Sequence, residues 1–207
     1  PATPASRQPE LDPARKSRFD KLMRDAREAL EREDYDDAVE SIRAARIIRI
    51  TPENDELNNT ILLRKDRAVA IKLGDSAMKK SEFEDAVKQY RAAMAIEADP
   101  ALDKKLRRAV SMQLIDEGQD ELEQGNVDAA ATKFRAAKWR DPSCDAEKLL
   151  KALEPAQKAV KLVRRADQDV ADGKPQDAIH RYQAALPTLP KALRPEVERK
   201  IANLKNP

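Results

Sequence analysis

Ser81-Glu-Phe-Glu-Asp-Ala-Val-Lys-Gln-Tyr-Arg-Ala-Ala93 decides the fold, because the chain repeats its pattern four times without gaps. The other copies are Glu33-Asp-Tyr-Asp-Asp-Ala-Val-Glu-Ser-Ile-Arg-Ala-Ala45, Gly125-Asn-Val-Asp-Ala-Ala-Ala-Thr-Lys-Phe-Arg-Ala-Ala137 and Gly173-Lys-Pro-Gln-Asp-Ala-Ile-His-Arg-Tyr-Gln-Ala-Ala185. One alanine recurs as Ala38, Ala86, Ala130 and Ala178, at spacings of 48, 44 and 48 residues. Four positions later comes a large residue: Ile42, Tyr90, Phe134 or Tyr182. An Ala-Ala pair closes each copy. Small residue, large residue at i+4 and small residue at i+7 make one stripe on a helix.

Upstream of each copy lies a second stripe: Met23, Ala26, Leu30; Ile71, Gly74, Met78; Ile115, Gly118, Leu122; and Val163, Ala166, Val170. Each unit therefore reads as helix, tight turn, helix. A proline follows each copy, at Pro52, Pro100, Pro142 and either Pro187 or Pro190, and is expected to end the second helix. Pro155 is expected to split the lead-in of the fourth unit into a short helix and a long one. Two glycines belong to the first-helix stripe and two to the turns, so none remains for a phosphate-cradling loop.

Composition narrows the classes. Aromatics make up 3% of the 207 residues, which argues against a sandwich or barrel. Forty basic and 38 acidic residues leave a net charge of +2, with no global field to attract nucleic acid. Cys144 is the sole cysteine, so neither an internal disulfide nor a Cys-rich metal site can form. No apolar run reaches the roughly 18–20 residues of a membrane span, and no signal peptide is visible. A cytoplasmic chain is expected. It begins at Pro1 rather than Met, as a fragment or processed form would.

The pattern resembles the tetratricopeptide repeat. The best copy carries Leu73-Gly74, Phe83, Ala86, Tyr90 and Ala93 at that family's spacings, with Pro100 slightly late. The resemblance covers about residues 18–190. It departs in period, 44–48 residues here against 34 in the family, and in lacking the first-helix aromatic, where Ala77 and Glu121 stand. The expected fold is all-α: a right-handed α-α superhelix of four hairpins plus a C-terminal capping helix. Residues 1–16 read as a Pro-rich linker or tail. The repeats fall at about 17–52, 53–100, 101–142 and 143–191, and the cap occupies 192–207.

Catalytic chemistry is poorly supplied. His180, the only histidine, reads as a solvated surface residue. Cys144 sits near a helix start, where a thiol pKa can fall, but it reads first as a small helix-start residue. Asp34, Asp36 and Asp37 read as first-turn acids that cap orphan amides and oppose the helix macrodipole, rather than as cation ligands. Arg43, Arg91 and Arg135 share one repeat position, as a solvated face or a ladder for an acidic partner.

The resemblance implies a partner groove lined by first helices. Its positions here are Met23 and Arg27, Ile71 and Asp75, Ile115 and Gln119, and Val163 and Asp167. The first member of each pair is apolar and reads first as core, so the polar second members are the better groove candidates. Ile71 and Asp75 replace the Lys and Asn of the family's carboxylate clamp, so an acidic peptide tail of that type is not implied. The expected function is a non-catalytic scaffold that binds another protein or peptide, without cofactor, metal, nucleic acid or direct membrane insertion. The alternatives are a self-assembly module, hence a homo-oligomer, or the helical appendage of a larger regulatory or enzymatic protein.

Overall fold

The computed structural model describes residues 10–206. Among these it is all-helical: α1 Pro13–Glu31, α2 Tyr35–Ile48, α3 Pro52–Lys79, α4 Phe83–Ile96, α5 Pro100–Glu123, α6 Val127–Arg140, α7 Ala146–Ala171, α8 Pro175–Ala185 and α9 Arg194–Lys205, with 3-10 turns at Leu186–Thr188 and Lys191–Leu193 before α9. The chain divides into two compact units. The first runs through Leu73 and takes in Gln89–Asp99. The second holds Gly74–Lys88 and everything from Pro100 onward.

The repeated stripe is core. Ala38, Ala86, Ala130 and Ala178 are buried, as are Ala45, Ala93, Ala137 and Ala185 that close the copies, and Ile42, Tyr90, Phe134 and Tyr182 between them. In the first unit they join Met23, Ala26, Leu30 and Ile61, with Phe19, Leu22 and Leu57 packed alongside. In the second unit α5 packs on α6, α6 on α7, α7 on α8 and α8 on α9. Phe134 lies against Gly118 so closely that a Cβ there would come within 2.5 Å of its ring.

The four turns share one backbone geometry. Glu33, Ser81, Gly125 and Gly173 occupy the same repeat position, and all have positive φ. The following N–H reaches back to the carbonyl five residues earlier: Asp34 to Ala29 at 2.9 Å, Glu82 to Ala77 at 2.9 Å, Asn126 to Glu121 at 2.8 Å and Lys174 to Asp169 at 2.8 Å. This Schellman closure satisfies carbonyls that a helix end leaves orphaned. Glycine adopts the conformation freely, whereas Glu33 and Ser81 are held there against their Cβ.

Several expectations are corrected. The prolines do not end the second helices; α2 and α4 stop earlier, at Ile48 and Ile96, and Pro52 and Pro100 are the first residues of α3 and α5. Their missing N–H is one the helix start would leave unpaired anyway. Pro155 does not split α7, which runs through it. It lies on an exposed face, where the carbonyl that loses its donor can meet water. Pro13–Lys16, placed with the tail on composition, form the first turn of α1, because Asp12 caps it by accepting the Arg15 N–H at 2.9 Å. Residues 1–9 of that tail lie outside the described residues. Val170 is exposed, and its neighbour Asp169 is buried instead, 2.7 Å from Arg181. Asp34 precedes α2 but makes no side-chain cap bond.

The α2–α3 junction holds a polar device that the stripes do not reveal. Asn54 is fully buried yet satisfied. Its side chain accepts from Thr51 N–H at 3.0 Å and donates to the Arg49 carbonyl at 2.7 Å, while its own N–H donates to Thr51 Oγ1 at 3.2 Å. This reciprocal box fixes where α3 begins.

Three stability outcomes follow from these contacts. Gly173→Ala should cost about 1 kcal/mol in urea unfolding, from positive φ alone, since no atom lies within 4 Å of the added carbon. Gly125→Ala should cost at least about 1 kcal/mol more, because its Cβ would meet Leu193 Cγ at 2.8 Å. Equal losses would show that the Leu193 contact is not made. Phe134→Ala should cost about 3–5 kcal/mol, the usual range for emptying a buried aromatic site.

Candidate functional site

The polar positions expected to face a groove are engaged with neighbouring elements. Arg27 on α1 pairs with Glu53 on α3. Asp75 on α3 accepts both 2.8 Å hydrogen bonds from Lys105 on α5. Asp167 on α7 accepts from Lys200 on α9 at 2.8 Å and from the Tyr182 hydroxyl at 2.5 Å. These bonds tie each first helix to the long helix that follows its hairpin, or to α9. Gln119 on α5 is the exception. The apolar members divide: Met23 and Ile115 are buried, Ile71 and Val163 half-buried.

Gln119 stands at the rim of an open cleft in the second unit, with a volume of about 610 Å³. Its floor is apolar. Buried Phe134 and Leu153 lie beneath, with Leu122, Leu149 and Ala156 around them. The rim carries Gln119, Glu123, Thr188 and Lys191. The segment containing the two 3-10 turns forms one side, and Leu193 within it presses on the α5–α6 turn at Gly125. A cleft of this size lies within the range of ligand sites, about 300–1,000 Å³.

The chemistry of the lining is one of contact. Glu123 and Lys191 are its only ionisable groups, and it holds no Ser, Cys or His to pair with a base. Among the described residues no cluster of three His, Cys, Asp or Glu side chains is placed to hold a metal ion. None of their helices is long and apolar enough to cross a membrane. His180 is exposed, and Cys144 is half-buried just before α7. Arg43, Arg91 and Arg135 are exposed, and none makes an ion pair among the described residues.

Sequence reasoning missed most of the lining. Leu149, Leu153 and Ala156 form an i, i+4, i+7 stripe that was available in the sequence. It lies upstream of the repeated segments, where no fourfold comparison draws attention to it. The approach of Thr188, Pro190 and Lys191 is a tertiary event with no local signal.

Asp167 also fixes the state of Tyr182. Burial first, and then the hydrogen bond to Asp167, hold the phenol well above its ordinary value of 10.0. A phenol raised on folding contributes stability that is complete below the unfolded value and declines as pH rises above it. Between about pH 10 and 11.5 the chain should therefore lose stability, and Tyr182→Phe should reduce that slope by about one proton's worth. Thermal unfolding of both proteins across this range measures the difference. Tyr35, raised to a lesser degree by burial and Glu33, accounts for part of what remains.

No protein-family model, no curated protein and no solved structure matches this chain.

Proposed function

We propose that this chain is a non-catalytic protein-interaction scaffold, with a partner segment seated by apolar side chains in the cleft between α5, α7 and the 3-10 segment. One observation carries the reading: a cleft floor whose partly exposed apolar side chains, Leu122, Leu149, Ala152 and Ala156, lie open to solvent beneath a polar rim. Such floors gain from contact with a partner's apolar side chain, at about 25 cal/mol per Å² removed from water. Rim groups then set orientation.

The finer architecture belongs to the same proposal. Four tetratricopeptide-like hairpins stack as a right-handed superhelix, closed at one end by α9. The support is the fourfold stripe and the four identical turns. The first helices present the concave face. Small-angle scattering should then give an elongated particle, and a compact globular profile would contradict the stack.

The reading shifts weight away from charge. Arg27→Glu would face Glu53, and Asp75→Lys would face Lys105, so reversing them disturbs ion pairs as well as any partner. Filling the cleft is cleaner. Ala152→Trp with Ala156→Trp occupies it from exposed and half-buried positions. Partners captured by the native chain should lose at least tenfold in affinity on this change, about 1.4 kcal/mol or more. Arg43→Glu with Arg91→Glu is the comparison. If that pair abolishes capture and the filled cleft does not, the arginine face is the binding surface and the cleft reading fails.

A further inference from the structure

One helix face is apolar where the others are charged. On α3, Leu62 is 38% exposed, Leu63 53%, Val69 48% and Leu73 50%. Leu62, Asp66, Val69 and Leu73 follow the i, i+4, i+7, i+11 spacing of a single helical stripe. At the repeat positions of Val69 and Leu73, α1 carries Lys21 and Asp25, α5 carries Gln113 and Glu117, and α7 carries Lys161 and Arg165. Three first helices therefore solvate this face with polar groups, and α3 alone leaves it apolar. All four apolar residues belong to the first unit, whereas the cleft residues belong to the second.

We propose that this face of α3 is a homodimer interface, on which two copies pair antiparallel through Leu62, Val69 and Leu73. The stripe is complementary to its own reverse. Antiparallel pairing about a two-fold near residues 67–68 sets Leu62 opposite Leu73 and Asp66 opposite Val69. Asp66 then lies one turn from Lys72 of the second copy, twice over, as an isologous contact requires. Parallel in-register pairing would set Asp66 against Asp66, so the single acid in the stripe selects direction. From Leu62 to Leu73 the seam is about 16 Å long at 1.5 Å per residue. Alone, that is smaller than a standard interface of about 1,600 Å², so the dimer is weak and concentration-dependent. This surface is independent of the cleft, and either can fail without the other.

Sedimentation equilibrium of the full chain, from about 1 to 300 μM, tests it across the affinity range of small interfaces. The native chain should pass from monomer to dimer. Leu62→Lys with Leu73→Lys should weaken association at least tenfold, while Asp25→Lys at the matching position of α1 leaves it unchanged. Direction is read by disulfide exchange in a buffer of reduced and oxidised glutathione, in a Cys144→Ser background. Leu62→Cys chains mixed with Leu73→Cys chains should form the mixed disulfide faster than either forms its own. These two changes are small and at exposed sites, so the reading does not depend on the lysine variant folding. A native chain that stays monomeric throughout, or a dimer indifferent to the two lysines, overturns the interface. Faster Leu62→Cys self-linkage overturns the antiparallel arrangement.

Discussion

Phe134 resting on Gly118 is the contact from which the α5–α6 hairpin takes its spacing. An aromatic ring can lie flat on a helix only where that helix offers bare backbone or a methyl group. A Cβ at Gly118 would already be 2.5 Å from the ring. The first unit uses the smallest side chain in the same role, with Ala26 and Ile42 in one buried cluster. At the other end, Ala166 and Tyr182 share another. Small against large fixes the helix separation, and the Schellman turn fixes the angle at which the second helix leaves. Neither suffices alone, since separation without a turn does not set register and a turn without packing frays.

The helices of a hairpin are unequal, and this inequality makes surfaces. Helix α5 has 24 residues and α7 has 26, whereas α6 has 14 and α8 has 11. At 1.5 Å per residue, α7 is about 39 Å long and α8 only about 17 Å. The second helix can cover only part of the first. The N-terminal part of α7 must find other neighbours, and it packs on α6. Leu149, Ala152, Leu153 and Ala156 on that overhang wall the cleft. The residues that lengthen the repeat are thus the ones that create concave apolar surface.

Much of the core was legible in the sequence because its signal is local and repeated four times. Periodicity identifies buried Ala86, Tyr90 and Ala93 without any tertiary information. What escaped depends on context. Whether Pro155 breaks a helix turns on whether its freed carbonyl meets water. Whether Leu73 is core turns on what lies over it, and among the described residues it stays half exposed. Positive φ at Glu33 and Ser81 was hidden because neither is glycine; only alignment with Gly125 and Gly173 discloses it. The candidate site was legible only in part. Gln119, expected on a groove face, lies at the rim of the cleft, but the wall opposite it comes from the upstream part of α7 and from the chain beyond α8.

The ion pairs weigh against charge as the basis of the proposed binding. Arg27, Asp75 and Asp167 occupy the position that would meet a ligand crossing first helices, yet each is paired with a neighbouring helix. Exposed pairs of this kind contribute about 0–1 kcal/mol each, so they steer helix spacing more than they stabilise it. A ligand competing for them would have to replace an existing partner at little net gain. Apolar floor carries no such exchange. Water over Leu122, Leu149, Ala152 and Ala156 would be displaced without breaking a protein contact, and each 100 Å² so covered would contribute about 2.5 kcal/mol. For a partner of the proposed kind, selectivity would therefore rest on shape and apolar reach, with the polar rim deciding orientation.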